Sequence, residues 1–349
     1  MLYISPASEE NESCLITIRN HILNAIGIFL ITQFILSTSG NGYNSSFGIT
    51  SSQVKIAAVK PSFTAAAYIH DPPAFYDFYH KYKQQREEGK NITKDLNYLT
   101  SKIPKESSLY HPEIFKDLPA HIYRILPDAQ ISIISDIDVH KGAIFKRNIA
   151  GQETNAYDIL LLGTNEYVTQ QEYNNLKKFV SNGGTLMVLT GGILYAEVRY
   201  DEATNSVTLV KGHKWTFDGK AAHDDVGERW QNETRHWLGS NLYDHYYYEK
   251  VYNVLYNNPF NFTGRDLGEE QYYDKNNPEI KVLLNYNSSD PRYPIATYEL
   301  NYGKGKSIVI GLAAEDIISR PCIETCQKFF SLIDDLLINH ALPSHKSGQ

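Results

Sequence analysis

Five short stretches hold the residues that could do chemistry, and each follows an apolar run. Asp136, Asp138 and His140 follow Gln130–Ser135; in an extended chain alternate side chains point the same way, offering two carboxylates and an imidazole to a divalent cation. An Asx turn with a surface histidine fits the same residues. Glu166 and Tyr167 follow the run Ile159–Leu162, and Glu166 is either a general base or ligand, or a carboxylate favoured by the helix N-terminus behind it. Thr190 and Tyr195 follow the run Thr185–Leu189. Glu315 and Asp316 follow Lys306–Ile310 and precede the last helix, with the same two readings as Glu166. Lys60, Ser62 and Thr64 close the earliest run. In an open parallel sheet ligands bind at the carboxyl ends of the strands, so these groups would converge on one rim. His213, His223, His236 and His245 show no HExxH spacing, and the chain has no Walker loop, no G-x-G-x-x-G after a strand and no G-x-S-x-G elbow.

The rim depends on the stretch from Tyr157 to Gly192. Ile159–Leu162 is apolar on every residue, as a strand buried on both faces must be. Thr169 caps a helix, with Glu172 placed to complete a capping box. Tyr173, Leu176, Phe179 and Val180 form one apolar stripe, Gly183-Gly184 stops the helix, and Thr185–Leu189 is a second buried strand. Strand, helix and strand within about 35 residues predict a right-handed βαβ unit in a parallel sheet. Val54–Val59 is the first strand, Pro72-Pro73 introduces a helix carrying Phe75, Phe78, Tyr79 and Tyr82, and a further helix over Ile114–Leu126 is expected to break near Pro119. Leu194–Tyr200 with Ser206–Val210, and Ile295–Asn301 with Lys306–Ile310, read as hairpins. Cys322, Cys326, Phe329, Phe330, Ile333, Leu336 and Leu337 recur on one face of a terminal helix, so both thiols should face the core.

The expected fold class is α/β: an open, mostly parallel sheet flanked by helices, spanning residues 54–342, with a tyrosine-rich α+β insertion at about 194–294 and a frayed tail over 343–349. The chain has 26 tyrosines, whose apolar ring and polar tip suit either core rims or carbohydrate contact. A net charge of −7 without a long charged block argues against a nucleic-acid partner. Three cysteines are too few for a disulfide scaffold. Ile22–Leu36 is too short and interrupted for a spanning helix but suits a signal-peptide core before Ser37-Thr38-Ser39-Gly40, so residues 1–39 are expected to be a signal peptide or N-terminal membrane anchor and 40–53 a linker. Sequons at Asn11, Asn44, Asn91, Asn232, Asn261 and Asn287 agree with a secreted or cell-surface location.

The run GTNEYVT, a helix, a GG turn and a strand ending TGG resemble the class I glutamine amidotransferase-like fold. They resemble more closely its variant in the large subunit of N,N-dimethylformamidase and in trehalose-utilisation-type proteins. Tyr302–Asp316, YGKGKSIVIGLAAED, resembles the last strand pair of that group. The likeness covers Val54–Ile193 and Ile295–Asn339 and leaves the insertion unexplained. The amidotransferase nucleophile has no counterpart, because Thr190-Gly191-Gly192-Ile193 holds no thiol. The formamidase-like relatives use iron held by tyrosines and a glutamate; the resemblance places Tyr167 and Tyr195 at the tyrosines and leaves Glu166, Glu197, Glu249 and Glu315 open for the glutamate.

Two functional expectations follow. One is a non-amidotransferase surface module binding a small polar molecule, a glycan or a surface protein, with no cofactor. The other is a metal-assisted hydrolase of C–N amide bonds, using iron or another divalent metal on Tyr167 and Tyr195, with Glu166 or Glu315 as ligand or base.

Overall fold

A computed structural model describes residues 53–68, 100–104, 112–190, 193–194, 196–211, 229–247, 252–254, 268–273, 277–286, 295–311, 314–319 and 324–342. The strands along the chain are β1 (Lys55–Lys60), β2 (Thr100–Lys102), β3 (Gln130–Ser135), β4 (Phe145–Arg147), β5 (Glu153–Asn155), β6 (Ile159–Leu162), β7 (Tyr167–Val168), β8 (Thr185–Val188), β9 (Ala196–Asp201), β10 (Ser206–Lys211), β11 (Ser240–Tyr247), β12 (Tyr252–Val254), β13 (Gly268–Tyr273), β14 (Ile280–Tyr286), β15 (Ile295–Tyr302) and β16 (Gly305–Ile310). The helices are α1 (Ser62–Tyr68), α2 (Pro112–Ile125), α3 (Asp136–His140), α4 (Gln170–Ser181), α5 (Gln231–Trp237), α6 (Ala314–Ser319) and α7 (Glu324–Asp335), which runs into a wider π-type turn, Leu336–Ala341. The helix expected after Pro72-Pro73, the tail, and all of residues 1–52 lie outside the described residues. No described helix is long and apolar enough to cross a membrane.

The central unit forms as its sequence dictates. Leu160 pairs with Leu186 and Leu162 with Val188 in parallel register, and α4 buries Tyr173, Leu176, Phe179 and Val180. The main sheet has eight strands in the order β12-β14-β15-β16-β8-β6-β1-β3. From β16 to β3 every pairing is parallel; β15, β14 and β12 then add antiparallel partners. Alternation sorts the strand residues onto two faces. Ile56, Ala58, Leu161 and Met187 meet α2, α6 and α7 through Phe115, Ile317 and Phe329. Ala57, Val59, Leu160 and Val188 meet α3 and α4 through Val139 and Leu176. Helices therefore cover both faces, which is why these strands carry no polar alternation.

Some expectations are corrected. Asp136–His140 is helical, because Ser135 caps α3 and Asp138 completes the capping box. α2 runs through Pro119 without a break, its face of Ile114, Phe115, Leu118 and Ile122 buried against the sheet. Tertiary burial offsets the one helical hydrogen bond that proline removes. Glu315 and Asp316 lie ahead of the last helix, α7, as expected, but within a short helix of their own, α6. The described parts of residues 194–294 are woven into the domain. β9 and β10 form the expected hairpin, Trp230 and Trp237 pack into the α4 core, and β14 and β12 extend the main sheet.

The sheet's antiparallel end carries an ion cluster. Glu299 accepts a hydrogen bond from His340 Nδ1 (3.0 Å) and from Lys281 Nζ (3.0 Å), with Lys306 Nζ at 3.7 Å. The His340 bond first, then Lys281 and Lys306, against the opposing effect of burial, hold its carboxyl at about 2. A depressed carboxyl contributes stability that is complete above its unfolded value of 4.5 and is lost as pH falls through about 2. Urea unfolding across that window should show a steeper acid loss for the native chain than for Glu299→Gln. Parallel curves would contradict the assignment.

Candidate functional site

The five parallel strands, counted along the chain as β1, β3, β6, β8 and β16, lie in the order 2-1-3-4-5. Connections leave β1 and β6 toward opposite edges, so the chain reverses between these neighbours, and open α/β sheets bind their ligands at the carboxyl ends of such a pair. Two segments meet there: α1 after β1, and Gly163–Tyr167 after β6.

Thr64, fully buried on α1, accepts hydrogen bonds at Oγ1 from the backbone amides of Glu166 (3.0 Å) and Tyr167 (3.1 Å). One helical turn on, the Tyr68 hydroxyl donates to Glu166 Oε2, and its ring meets Tyr167 edge-on with centroids 6.0 Å apart. Glu166 and Tyr167 are themselves buried. Beside them the Thr164 hydroxyl and both amide atoms of Asn165 are buried with no hydrogen-bond partner among the described residues. Buried polar groups of that kind call for a ligand, a water or a strained arrangement.

The loop after β8 is tied to the same place. Tyr167 and Val168, as β7, pair in parallel with Ala196 and Glu197 of β9. Leu194 donates its amide to Asn165 O (2.8 Å) and Ala196 to Glu166 O (3.1 Å). Tyr195 lies outside the described residues, yet both its neighbours are bonded to the segment that carries Glu166. Leu194, buried, has φ +56°, a left-handed conformation rare for a branched residue and characteristic of functional loops. Thr190 is buried at the end of β8; Cys326 is buried on α7, and Cys322 lies outside the described residues.

The remaining candidates go elsewhere. Asp138 accepts from Ser135 N and Oγ, each at 2.8 Å, inside its capping box. His140 Nδ1 meets Thr169 Oγ1 at 2.8 Å, and burial first, then the charge of Lys141, lowers its pKa. Asp136 reaches from the end of β3 to α1, accepting from the Phe63 amide at 2.7 Å. Burial pushes its carboxyl up to about 8 despite that bond and others from Ile137 and Ser62. Glu172 is fully buried; burial, then the charge of Asp136, raise its pKa well above the ordinary range, against the opposing effect of the Thr169 backbone amide. Thr169 accepts from the Glu172 amide at 3.0 Å, the first half of the expected capping box. Glu315 and Asp316 start α6 after β16, two strand positions from β6, or roughly 10 Å along the sheet; their side chains lie outside the described residues. Among the described residues no group of three His, Cys, Asp or Glu side chains gathers around a point. Sequence reasoning missed Tyr68 altogether, and Thr64 appeared only as a strand-end residue; a short helix opening with Ser62 after a strand was the signal available.

The profile of the family described as N,N-dimethylformamidase beta subunit-like, C-terminal, matches residues 31–286. The match runs through the stretch that the sequence resemblance had left unexplained and stops before the last strand pair. No curated protein matches the sequence. Among solved structures, a ThuA-like protein from Bacteroides uniformis is similar over 84% of this chain and 93% of its own, at 12% identity and a TM-score of 0.41. A GH42 beta-galactosidase from G. stearothermophilus is similar over 66% of this chain at 16% identity and a TM-score of 0.36. This chain covers only 27% of that enzyme.

Proposed function

This chain belongs to the family of N,N-dimethylformamidase beta subunit-like C-terminal domains, and from that premise we propose that its sheet rim binds a small polar molecule and hydrolyses a C–N amide bond there with a bound metal. The observation that carries the reading is the meeting of Tyr68, Glu166 and Tyr167 where the strand order reverses. Phenol and carboxylate oxygens suit a hard cation such as iron. Tyr167 and Tyr195 would hold the metal, with Glu166 as ligand or base. When bound, the metal supplies polarisation of the amide carbonyl and a water of lowered pKa. Glu166 would take the proton from that water, its carboxylate oriented by the Tyr68 hydroxyl, while buried Asn165 and Thr164 offer hydrogen bonds to polar substrate atoms. Glu315 is the alternative carboxylate. We read Asp136, Asp138, His140 and Asp316 as having no part in holding the metal.

We read the strand order as that of a flavodoxin-like fold and the domain as glutamine amidotransferase-like, without the nucleophilic cysteine and with a tyrosine-rich stretch over 194–294. Export to the cell surface or beyond remains part of the proposal, resting on the leader and the sequons. A second reading keeps the site for binding alone, of a glycan or surface protein. It is favoured by the engagement of three candidate bases: Glu166 with Tyr68, Asp138 in its cap, and His140 with Thr169.

Metal analysis of the purified full chain separates the two. Iron or another metal near one per chain is expected, reduced about tenfold or more in Tyr167→Phe, with cleavage of small formamides lost in parallel. Folded chain that takes up no added iron and cleaves no amide would overturn the hydrolase and leave the binding module.

A further inference from the structure

We propose that α1 is the clamp that presets this site, with Thr64 and Tyr68 as positioning residues for Glu166 and Tyr167. The inference rests on the reading of the Glu166–Tyr167 segment as the ligand site and adds the element that holds it. Thr64 and Tyr68 are four residues apart and so lie on one side of the helix, one turn from each other. Thr64 uses a single hydroxyl to receive two successive backbone amides, at 3.0 and 3.1 Å, across 102 and 103 residues of sequence. Such a double bond to adjacent amides fixes both the height and the turn of the loop after β6. Tyr68 fixes the side chain, its hydroxyl on Glu166 Oε2 and its ring against Tyr167. The helix itself is anchored at the other end, where the Phe63 amide donates to Asp136 Oδ2 at 2.7 Å. β1, α1 and the tip of β3 therefore form one rigid bracket, and the loop that carries the working carboxylate and phenol hangs from it. Supporting groups of this kind alter ligand affinity by about 10- to 100-fold when removed from a metal or catalytic site.

The bracket implies a division of labour between the two residues. Removing the Thr64 hydroxyl withdraws the acceptor of two backbone amides; removing the Tyr68 hydroxyl leaves those bonds in place and withdraws one donor from the Glu166 carboxylate. Hydrogen-exchange mass spectrometry on the full chain reads the first effect without any ligand. Thr64→Val, which keeps the shape, is expected to speed exchange at the Glu166 and Tyr167 amides by about tenfold, while β6 amides stay protected. Thr64→Ser restores protection, and Tyr68→Phe leaves it unchanged. Iron(II) titrated into metal-free protein reads the second: Tyr68→Phe should bind about tenfold more weakly than the native chain. Unchanged exchange at the two amides in Thr64→Val, or loss of protection spread equally over β6, overturns the clamp. If the native chain takes up no added iron and cleaves no amide, the hydrolase reading fails, and the exchange comparison still decides the clamp.

Discussion

Gly305→Ala is expected to abolish the stable fold or to cost it about 3–5 kcal/mol, the range of severe overpacking. A methyl group at Gly305 would fall deep inside the carbonyl oxygens of Gly184 and Val180 and only 2.9 Å from the carbonyl carbon of Gly183. All three are backbone atoms, so no side chain can swing aside. The contact exists because the β15–β16 turn is pressed onto the end of α4: Lys304 donates its amide to Ser181 O (3.0 Å) and Lys306 to Gly184 O (3.3 Å). Gly303, at φ +61°, is also close, with a Cβ 2.7 Å from Ser181 O. Gly151 supplies the control. Its φ is +76° but nothing lies within 4 Å of its would-be Cβ, so Gly151→Ala should cost only about 1 kcal/mol of backbone strain. Urea midpoints for the two variants measure the difference. A Gly305→Ala midpoint no lower than that of Gly151→Ala would show that the turn does not seat on α4 as described.

That contact also shows which parts of the fold the residues announced and which they concealed. The GG stop after α4 and the YGKG turn were both legible, each from local rules of helix termination and hairpin formation. Their meeting was not, because it depends on two segments more than a hundred residues apart. The same line divides the site. Ile159–Leu162 and the stripe of α4 declared a parallel unit and hence a rim, and Glu166 and Tyr167 fell on it. α1 stayed hidden because seven residues, three of them consecutive alanines, give no amphipathic period. Asp136-Ile137-Asp138-Val139-His140 alternates as a strand would, and that period obscured the Ser135–Asp138 capping pair that makes it a helix. At Glu172 the local capping signature was legible, but not that the carboxylate would be fully buried, with its pKa raised by that burial and by Asp136. Tertiary context overrides local preference where a polar group is enclosed.

Trp237→Ala should destabilise the whole domain by about 3–5 kcal/mol, as truncation of a large core aromatic does. Trp237 is fully buried, although the stretch around it is polar enough to read as a surface elaboration. Its indole Nε1 donates to the Tyr173 hydroxyl at 2.9 Å, and its ring meets Tyr173 edge-on at 5.6 Å. Trp230 stacks on the other side of Tyr173, at 4.4 Å and an interplanar angle of 8°. Tyr173 belongs to α4, and its hydroxyl also pairs with Thr234 at 3.0 Å, so α5 and α4 share one aromatic joint. Tyr298 of β15 donates its hydroxyl to Leu238 O (2.8 Å), which ties the same segment to the sheet. Removing the indole opens a cavity in that joint and deprives the Tyr173 hydroxyl of a donor. Trp237→Phe keeps most of the volume and should lose about 1–2 kcal/mol. Because the joint is continuous with α4, chemical unfolding followed by tryptophan fluorescence and by far-ultraviolet circular dichroism should shift together as one transition. Two separated transitions, or a loss below about 1 kcal/mol for Trp237→Ala, would mean that residues 230–239 fold as an appendage. Coincident curves at a much lower midpoint would make them part of the core on which the Thr169 end of α4, and through it the rim, is built.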